Sequence, residues 1–202
     1  MSRRITEKSF SATNGYVKRN SMKMLLLHIC CGPCATHVID ILGSDYEITG
    51  YFHNPNIHPE EEYLKRLDAA RTVAEKQGIP LIEGVYKPET FFAAVKGFEH
   101  EPENGKRCRI CYRLRLSETA RYASGTSFDC IASTLTLGPQ KKAAVINPIG
   151  TEEAAAAGVT FVEGDWKKKD GFQHSCELSR EYGLYRQNYC GCLFSMRMEK
   201  DE

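Results

Sequence analysis

No stretch of this 202-residue chain is apolar for long enough to cross a bilayer; the most apolar run is stopped by three thiols at positions 30 to 34. The amino end carries Arg3, Arg4, Lys8, Lys18, Arg19 and Lys23 but no long apolar segment ahead of a cleavage site. The sequence therefore offers no secretory signal, and a cytoplasmic monomer without a membrane partner is expected. Neither sign of charge dominates: 27 Lys and Arg stand against 26 Asp and Glu, for a net charge of +1. Global charge thus says nothing about nucleic acid, because binding an RNA loop needs only a local basic patch. Repeats and low-complexity tracts are absent as well. What remains is ordinary globular composition, 42% hydrophobic and 26% charged, enough for one sizeable domain.

The exception is sulfur. Nine cysteines in a chain without a secretory signal argue for metal or redox chemistry rather than a disulfide framework. Seven fall into three short groups, Cys30, Cys31 and Cys34, then Cys108 and Cys111, then Cys190 and Cys192. Cys130 and Cys176 stand alone and read as a small buried hydrophobe and an uninvolved thiol. The first group interrupts an apolar run, Leu25 to Ile29, and amphipathic spacing resumes after it at Ala35, Val38, Ile39 and Leu42. That pattern is buried strand, tight loop, helix, which puts the thiols at a helix N-terminus, where partial positive charge favours thiolate, phosphate or a metal–sulfur cluster.

The rest of the chain alternates strands and helices. Residues 1–22 are polar and aperiodic and are expected to form a loose arm ahead of a single α/β domain, 23–202. Strands are predicted at Glu47–Phe52, Ile79–Val85, Phe128–Leu137 and Val159–Val162. Helices are predicted at Glu60–Gln77, ended by Gly78, at Lys87–Phe98 and from Cys108 to Tyr122. Ala143–Ala157 has helical composition that Asn147-Pro148 should break or kink. No element is assigned to the tail beyond Gly164. Such alternation with long crossovers implies an open parallel sheet covered on both faces, a three-layer α/β fold.

Thiolates suit zinc and iron–sulfur clusters. Cys108 and Cys111, three apart at a helix start, face one way and can share a metal. Adjacent Cys30 and Cys31 would diverge on an extended backbone and can reach one centre only if the loop turns between them. A structural zinc closes with four ligands, so seven grouped thiols exceed its needs. Cys31-Gly32-Pro33-Cys34 also has thioredoxin spacing, with Ile79-Pro80 in the place of a cis-proline, but a thiol–disulfide exchanger of that kind leaves the later cysteines unused. A PP-loop enzyme consuming ATP would carry a Ser/Gly-rich first loop where this chain has cysteines.

Six motifs together resemble a known family. They are His28-Ile29-Cys30-Cys31-Gly32-Pro33-Cys34, Tyr51-Phe52-His53-Asn54-Pro55-Asn56-Ile57-His58-Pro59, Cys108-x-x-Cys111-Tyr112-x-x-Arg115-Leu116, Ser133-Thr134-Leu135, Asp165-Trp166-x-Lys168, and Tyr185-Arg186-Gln187-x-Tyr189-Cys190-Gly191-Cys192. In this order, from residue 25 to about 195, they look like the cobalamin-independent epoxyqueuosine reductases. Leu137-Gly138-Pro139-Gln140-Lys141-Lys142 departs from the Ser-Pro-aromatic-Lys pattern expected there.

The resemblance implies a sheet of the PP-loop (HUP) type with a cysteine-bearing tail. It implies reductive removal of the epoxide oxygen of epoxyqueuosine in the tRNA anticodon loop, the final step of queuosine synthesis, with an external electron donor. By analogy, Cys30, Cys31, Cys108 and Cys111 hold a [4Fe–4S] cluster, with Cys31 and Cys34 able to exchange roles. Cys190 and Cys192 form a redox-active, disulfide-forming pair or, with Cys34 or a carboxylate such as Asp165, bind one additional mononuclear iron acting as Lewis acid. Asn54, Asn56, His58, Tyr112, Arg115 and Arg186 are the candidate substrate contacts. Arg109, Arg113, Lys167, Lys168, Lys169, Tyr185 and Tyr189 supply further charge and stacking surface for an RNA loop. The competing class is a zinc-bound RNA-binding module without catalysis.

Overall fold

The computed structural model describes residues 22–196, so the arm expected at 1–22 lies almost wholly outside the described residues. Strands β1 (Lys23–His28), β2 (Tyr46–Phe52), β3 (Leu81–Glu83), β4 (Cys130–Ser133) and β5 (Thr160–Phe161) form one parallel sheet in the order β3-β2-β1-β4-β5. Leu25, Leu26, Leu27 and Ile131 are fully buried because β1 and β4 are central and covered on both faces. Helices α1 (Gly32–Leu42) and α2 (Glu60–Gln77) pack on each other over one face, joined by α6 (Gly171–Glu181). On the opposite face lie α4 (Lys106–Ser124) and α5 (Ala143–Ala156), and the short α3 (Pro88–Ala94) packs beside α4. No described helix is long and apolar enough to cross a membrane.

Chain direction from β1 runs outward one way to β2 and β3, and from β4 the other way to β5. The gap above β1 and β4, whose last residues His28 and Ser133 pair in register, is therefore the switch point of the sheet, where the first turns of neighbouring units diverge. Every grouped cysteine lies toward that end.

Several predicted elements differ in extent. The strand expected over Phe128–Leu137 ends at Ser133; Thr134–Leu137 is a 3-10 turn in which the Ser133 Oγ accepts from the Leu135 N–H at 3.2 Å. The third strand is cut to Leu81–Glu83, and the helix expected over Lys87–Phe98 stops at Ala94. Pro148 does not break α5, although its missing N–H leaves one helical bond unmade; burial of Ile146, Ile149 and Ala154 carries the helix past it. The tail contains α6, which the sequence reading left without an element. The one cis X-Pro bond among the described residues is His58–Pro59 and not Ile79–Pro80, which removes the counterpart to thioredoxin's cis-proline.

Candidate metal and redox centre

The loop after β1 bends at Cys30, and Cys31 caps α1 in an extended conformation. This turn is what lets adjacent cysteines converge: the Sγ atoms of Cys30, Cys31 and Cys34 all lie within 4.8 Å of one another, with Cys30 and Cys31 3.9 Å apart. Cys34 thus belongs with the first two rather than standing apart from them. The loop is tied to β4 through Thr134, whose Oγ1 accepts from the Cys30 N–H at 3.0 Å and donates to Cys30 Sγ at 3.2 Å.

One cavity of about 90 Å³ gathers the remaining groups: its walls carry Cys30 and Cys34 from the first loop, Cys108 and Cys111 from α4, and Cys190 and Cys192 from the tail. Cys31 sits deeper, 1% exposed. Cys108 packs near Cys30, while Cys111 shares an apolar cluster with Cys192 and Cys190, backed by Phe91 and Val95. All nine cysteines are free thiols in the structure.

The thiols share negative charge unequally. Hydrogen bonds from Cys31 and then Cys34 hold the Cys30 thiol well below its ordinary value. Burial pushes Cys31 up to about 12, and Cys34 is raised chiefly by its hydrogen bond to Cys30. The tail repeats the pattern: the hydrogen bond from Cys192 brings Cys190 down to about 4, and Cys192 rises in turn. The first and last groups therefore each pair a thiol that favours the thiolate with an adjoining one that keeps its proton until a metal or a reaction takes it.

Cations complement this. Arg66, Arg107, Arg115 and Lys141 also line the cavity. Arg66 is paired with Glu62 at 2.7 Å, and Glu103 stands 3.9 Å from Lys141. Arg107 donates only to the backbone carbonyls of Phe98, Glu99 and Glu101, and Arg115 to the Asn54 Oδ1 at 2.6 Å. Burial opposes the charge on Lys141, but Cys190, the Tyr112 phenol and the α4 thiols more than offset it and raise the ammonium above its usual value. Arg107 and Arg115, buried without a carboxylate partner, call for an anionic occupant, and thiolates bound to metal would supply one.

The substrate contacts expected from sequence divide sharply. Asn56, Tyr112 and Arg115 line the cavity, and Asn56 Oδ1, Tyr112 Oη and Arg115 Nε are buried with no partner. Asn54 does not face it; its amide donates to the Ile29 carbonyl at 2.9 Å and receives Arg115, so it positions rather than contacts. His58 also stays out of the cavity wall: its ring packs against Phe92, and its backbone holds the tail through Gly191 O and the Tyr189 hydroxyl. Arg186 is exposed, with Nη2 3.0 Å from Cys176 Sγ, and Asp165 is engaged by Lys167 at 3.0 Å and Lys168 at 3.5 Å. Asp165 is accordingly a turn residue held by its neighbours, not a carboxylate in the cavity wall.

The basic set shrinks likewise, since Arg113 is taken up by Glu152 and Glu153. Arg109, Lys168 and Lys169 remain exposed. Sequence reasoning missed Arg66, Glu62 and Arg107 and gave Gln187, Thr134 and Lys141 no role. The one available signal was the pair Glu62 and Arg66, four apart on the buried side of α2 among Tyr63, Leu67 and Ala70.

The model of the family described as epoxyqueuosine reductase QueH matches residues 25–198. Relatives described by the same words include one from Streptococcus pyogenes serotype M1, 38% identical over 188 residues that cover 90% of this chain and 74% of that protein. One from Haemophilus influenzae is 41% identical, covering 86% and 71%, and one from Thermotoga maritima is 33% identical, covering 90% and 94%. Among solved structures, the U34-tRNA thiolase NcsA from Methanococcus maripaludis with its [4Fe-4S] cluster superposes with a TM-score of 0.54 at 14% identity, over 87% of this chain and 61% of that one. A predicted tRNA methyltransferase subunit from Methanocaldococcus jannaschii gives 0.50 at 12% identity, over 80% and 89%. These last two share the fold.

Proposed function

Because the chain belongs to the QueH family of epoxyqueuosine reductases, we propose that the thiol-lined cavity is where the epoxide oxygen of epoxyqueuosine is removed, with the modified base delivered on a tRNA anticodon loop. The observation that carries this reading is the convergence of six thiols and four cationic side chains on one cavity at the switch point of the sheet. The donor set fits an iron–sulfur cluster: soft ligands, an extra share of positive charge, and a triplet of sulfurs within 4.8 Å. Cys30, Cys31, Cys108 and Cys111 would hold the [4Fe–4S] cluster, which when bound supplies a one-electron relay.

The chain's own residues account for the rest. Turning an epoxide into an alkene and water takes two electrons and two protons; oxidation of the Cys190 thiolate and Cys192 thiol to a disulfide releases the two electrons and one proton, and solvent supplies the second proton. An external donor then returns the pair to dithiol. Asn56, Tyr112 and Arg115 line the cavity, each with an unpartnered polar atom, and orient the substrate. Apolar Phe91 and Leu135 help exclude water. Arg109, Lys168 and Lys169 offer charge to the phosphates of the RNA loop.

Anaerobic purification with iron and acid-labile sulfide counting, followed by turnover on tRNA carrying epoxyqueuosine, tests the proposal. About four irons and four sulfides per chain with conversion to queuosine is the expected result. A fifth iron would assign Cys190 and Cys192 to a second metal instead of a disulfide pair. Zinc without sulfide and without turnover would replace the reading by an RNA-binding module.

A further inference from the structure

Arg66 is the largest fully buried side chain in the protein's core, on α2 and outside every cysteine motif. Its Nη1 donates to the Cys190 carbonyl at 3.1 Å and its Nη2 to the Tyr189 carbonyl at 3.0 Å, while Nε donates to Glu62 Oε1 at 2.7 Å. The other Glu62 oxygen accepts from the Tyr185 hydroxyl at 2.7 Å, and the guanidinium lies 5.1 Å from the Tyr189 ring. Three residues of the tail, Tyr185, Tyr189 and Cys190, are thus held by one ion pair.

The fit leaves no slack. Gly191, between the two thiols, has φ +96°, and a Cβ there would come within 2.8 Å of Arg66 Nη1 and 2.9 Å of Ile57 Cγ1. On the other side, the His58 N–H donates to Gly191 O at 2.8 Å and His58 O accepts from Tyr189 Oη at 2.6 Å. A buried ion pair returns little net stability, since desolvation consumes most of its attraction. The geometry points to Arg66, set by Glu62, as a positioning residue that fixes the Cys190-Gly191-Cys192 loop so that both thiols face the cavity. This rests on the reading that Cys190 and Cys192 act in the reaction.

The test uses the cluster-loaded full chain. Two variants are compared with wild type: Arg66→Lys, which keeps the charge but cannot serve both carbonyls and Glu62, and the double variant Glu62→Gln with Arg66→Met, which removes the pair without stranding a buried charge. The readouts are iron and sulfide per chain, melting temperature, KM and kcat on tRNA carrying epoxyqueuosine, and the rates at which iodoacetamide alkylates Cys190 and Cys192. The expected result is retained sulfide and melting temperature, nearly constant KM, kcat down by on the order of a hundredfold in the double variant with Arg66→Lys between, and faster alkylation at both thiols.

Unchanged kcat and alkylation in the double variant would overturn the inference. So would loss of sulfide and a lowered melting temperature in both variants, which would make Arg66 a folding residue. Cys190→Ser separates the two layers: if that variant turns over normally, the role given to the pair is wrong, whereas an inactive Cys190→Ser beside an unaffected double variant defeats only the assignment of Arg66.

Discussion

A single sulfur can be asked which job it has. Cys108 sits on the first turn of α4, packed beside Cys30 and receiving the Asn104 N–H at 3.2 Å, whereas Cys190 sits across the cavity beside Ser195. Cys108→Ser should abolish sulfide content and turnover together. Cys190→Ser should abolish turnover while leaving most of the sulfide in place, as read by absorbance and sulfide assay. Loss of the cluster in Cys190→Ser would reverse the ligand assignment. At this scale the sequence announced chemistry better than contact. Spacing found every thiol of the cavity, because sulfur has few other uses in such groups, but it could not tell Asn56 from Asn54. Two residues apart in one loop, the first lines the cavity and keeps an unpartnered oxygen, and the second is spent on Ile29 and Arg115. Arg66 was hidden for a related reason, since a Glu and an Arg four apart on a helix ordinarily mark a solvated face.

Elements were legible where apolar periodicity set them. Helix α2 spans the predicted Glu60–Gln77 and ends at Gly78, whose φ of +67° is the left-handed cap expected of glycine. Helix α6 was not legible, because what it buries is Gly171, Ser175 and Ser179. Small residues four apart let it lie close on α1 without any apolar stripe to read. The same closeness governs α1 and α2. A Cβ on Gly32, the first residue of α1, would stand 2.5 Å from the Ala69 carbonyl oxygen, backbone that cannot swing aside. Gly32→Ala should therefore cost about 1–3 kcal/mol by overpacking. It should also pull Cys31 and Cys34 out of register, so that urea denaturation and sulfide content fall together. An unaffected sulfide content would show that the thiol loop tolerates movement of its helix.

At the scale of the whole molecule, acid sensitivity follows from buried imidazoles. Burial, with Arg115 and Arg121 adding to it, lowers His53 from 6.5 to about 4. The folded state therefore keeps His53 neutral where the unfolded chain takes up a proton. Its stabilisation is fully present above pH 6.5 and is lost progressively as pH falls toward 4. Between pH 7.5 and 5 this amounts to about 2 kcal/mol for His53, and His37, lowered mainly by burial, carries the same sign. Urea midpoints of the metal-free protein should drop over that interval, and His53→Phe should flatten part of the slope; an equal slope in the variant would assign the effect elsewhere.

The open parallel architecture and the place of the first thiols at a helix N-terminus were readable, because alternating elements leave few alternatives, whereas the strand order was not. What no local pattern encodes is that the tail crosses back to α2. The Arg66 to Cys190 bond joins residues 124 positions apart. A ribosome making this chain delivers residues 30 to 34 first, 108 to 111 much later, and 189 to 192 later still. Until then the guanidinium has no carbonyls to grip and the sulfurs lie under open water. Closure of the cavity by the tail therefore waits on the last of the three thiol segments to be synthesised, whose carbonyls Arg66 holds.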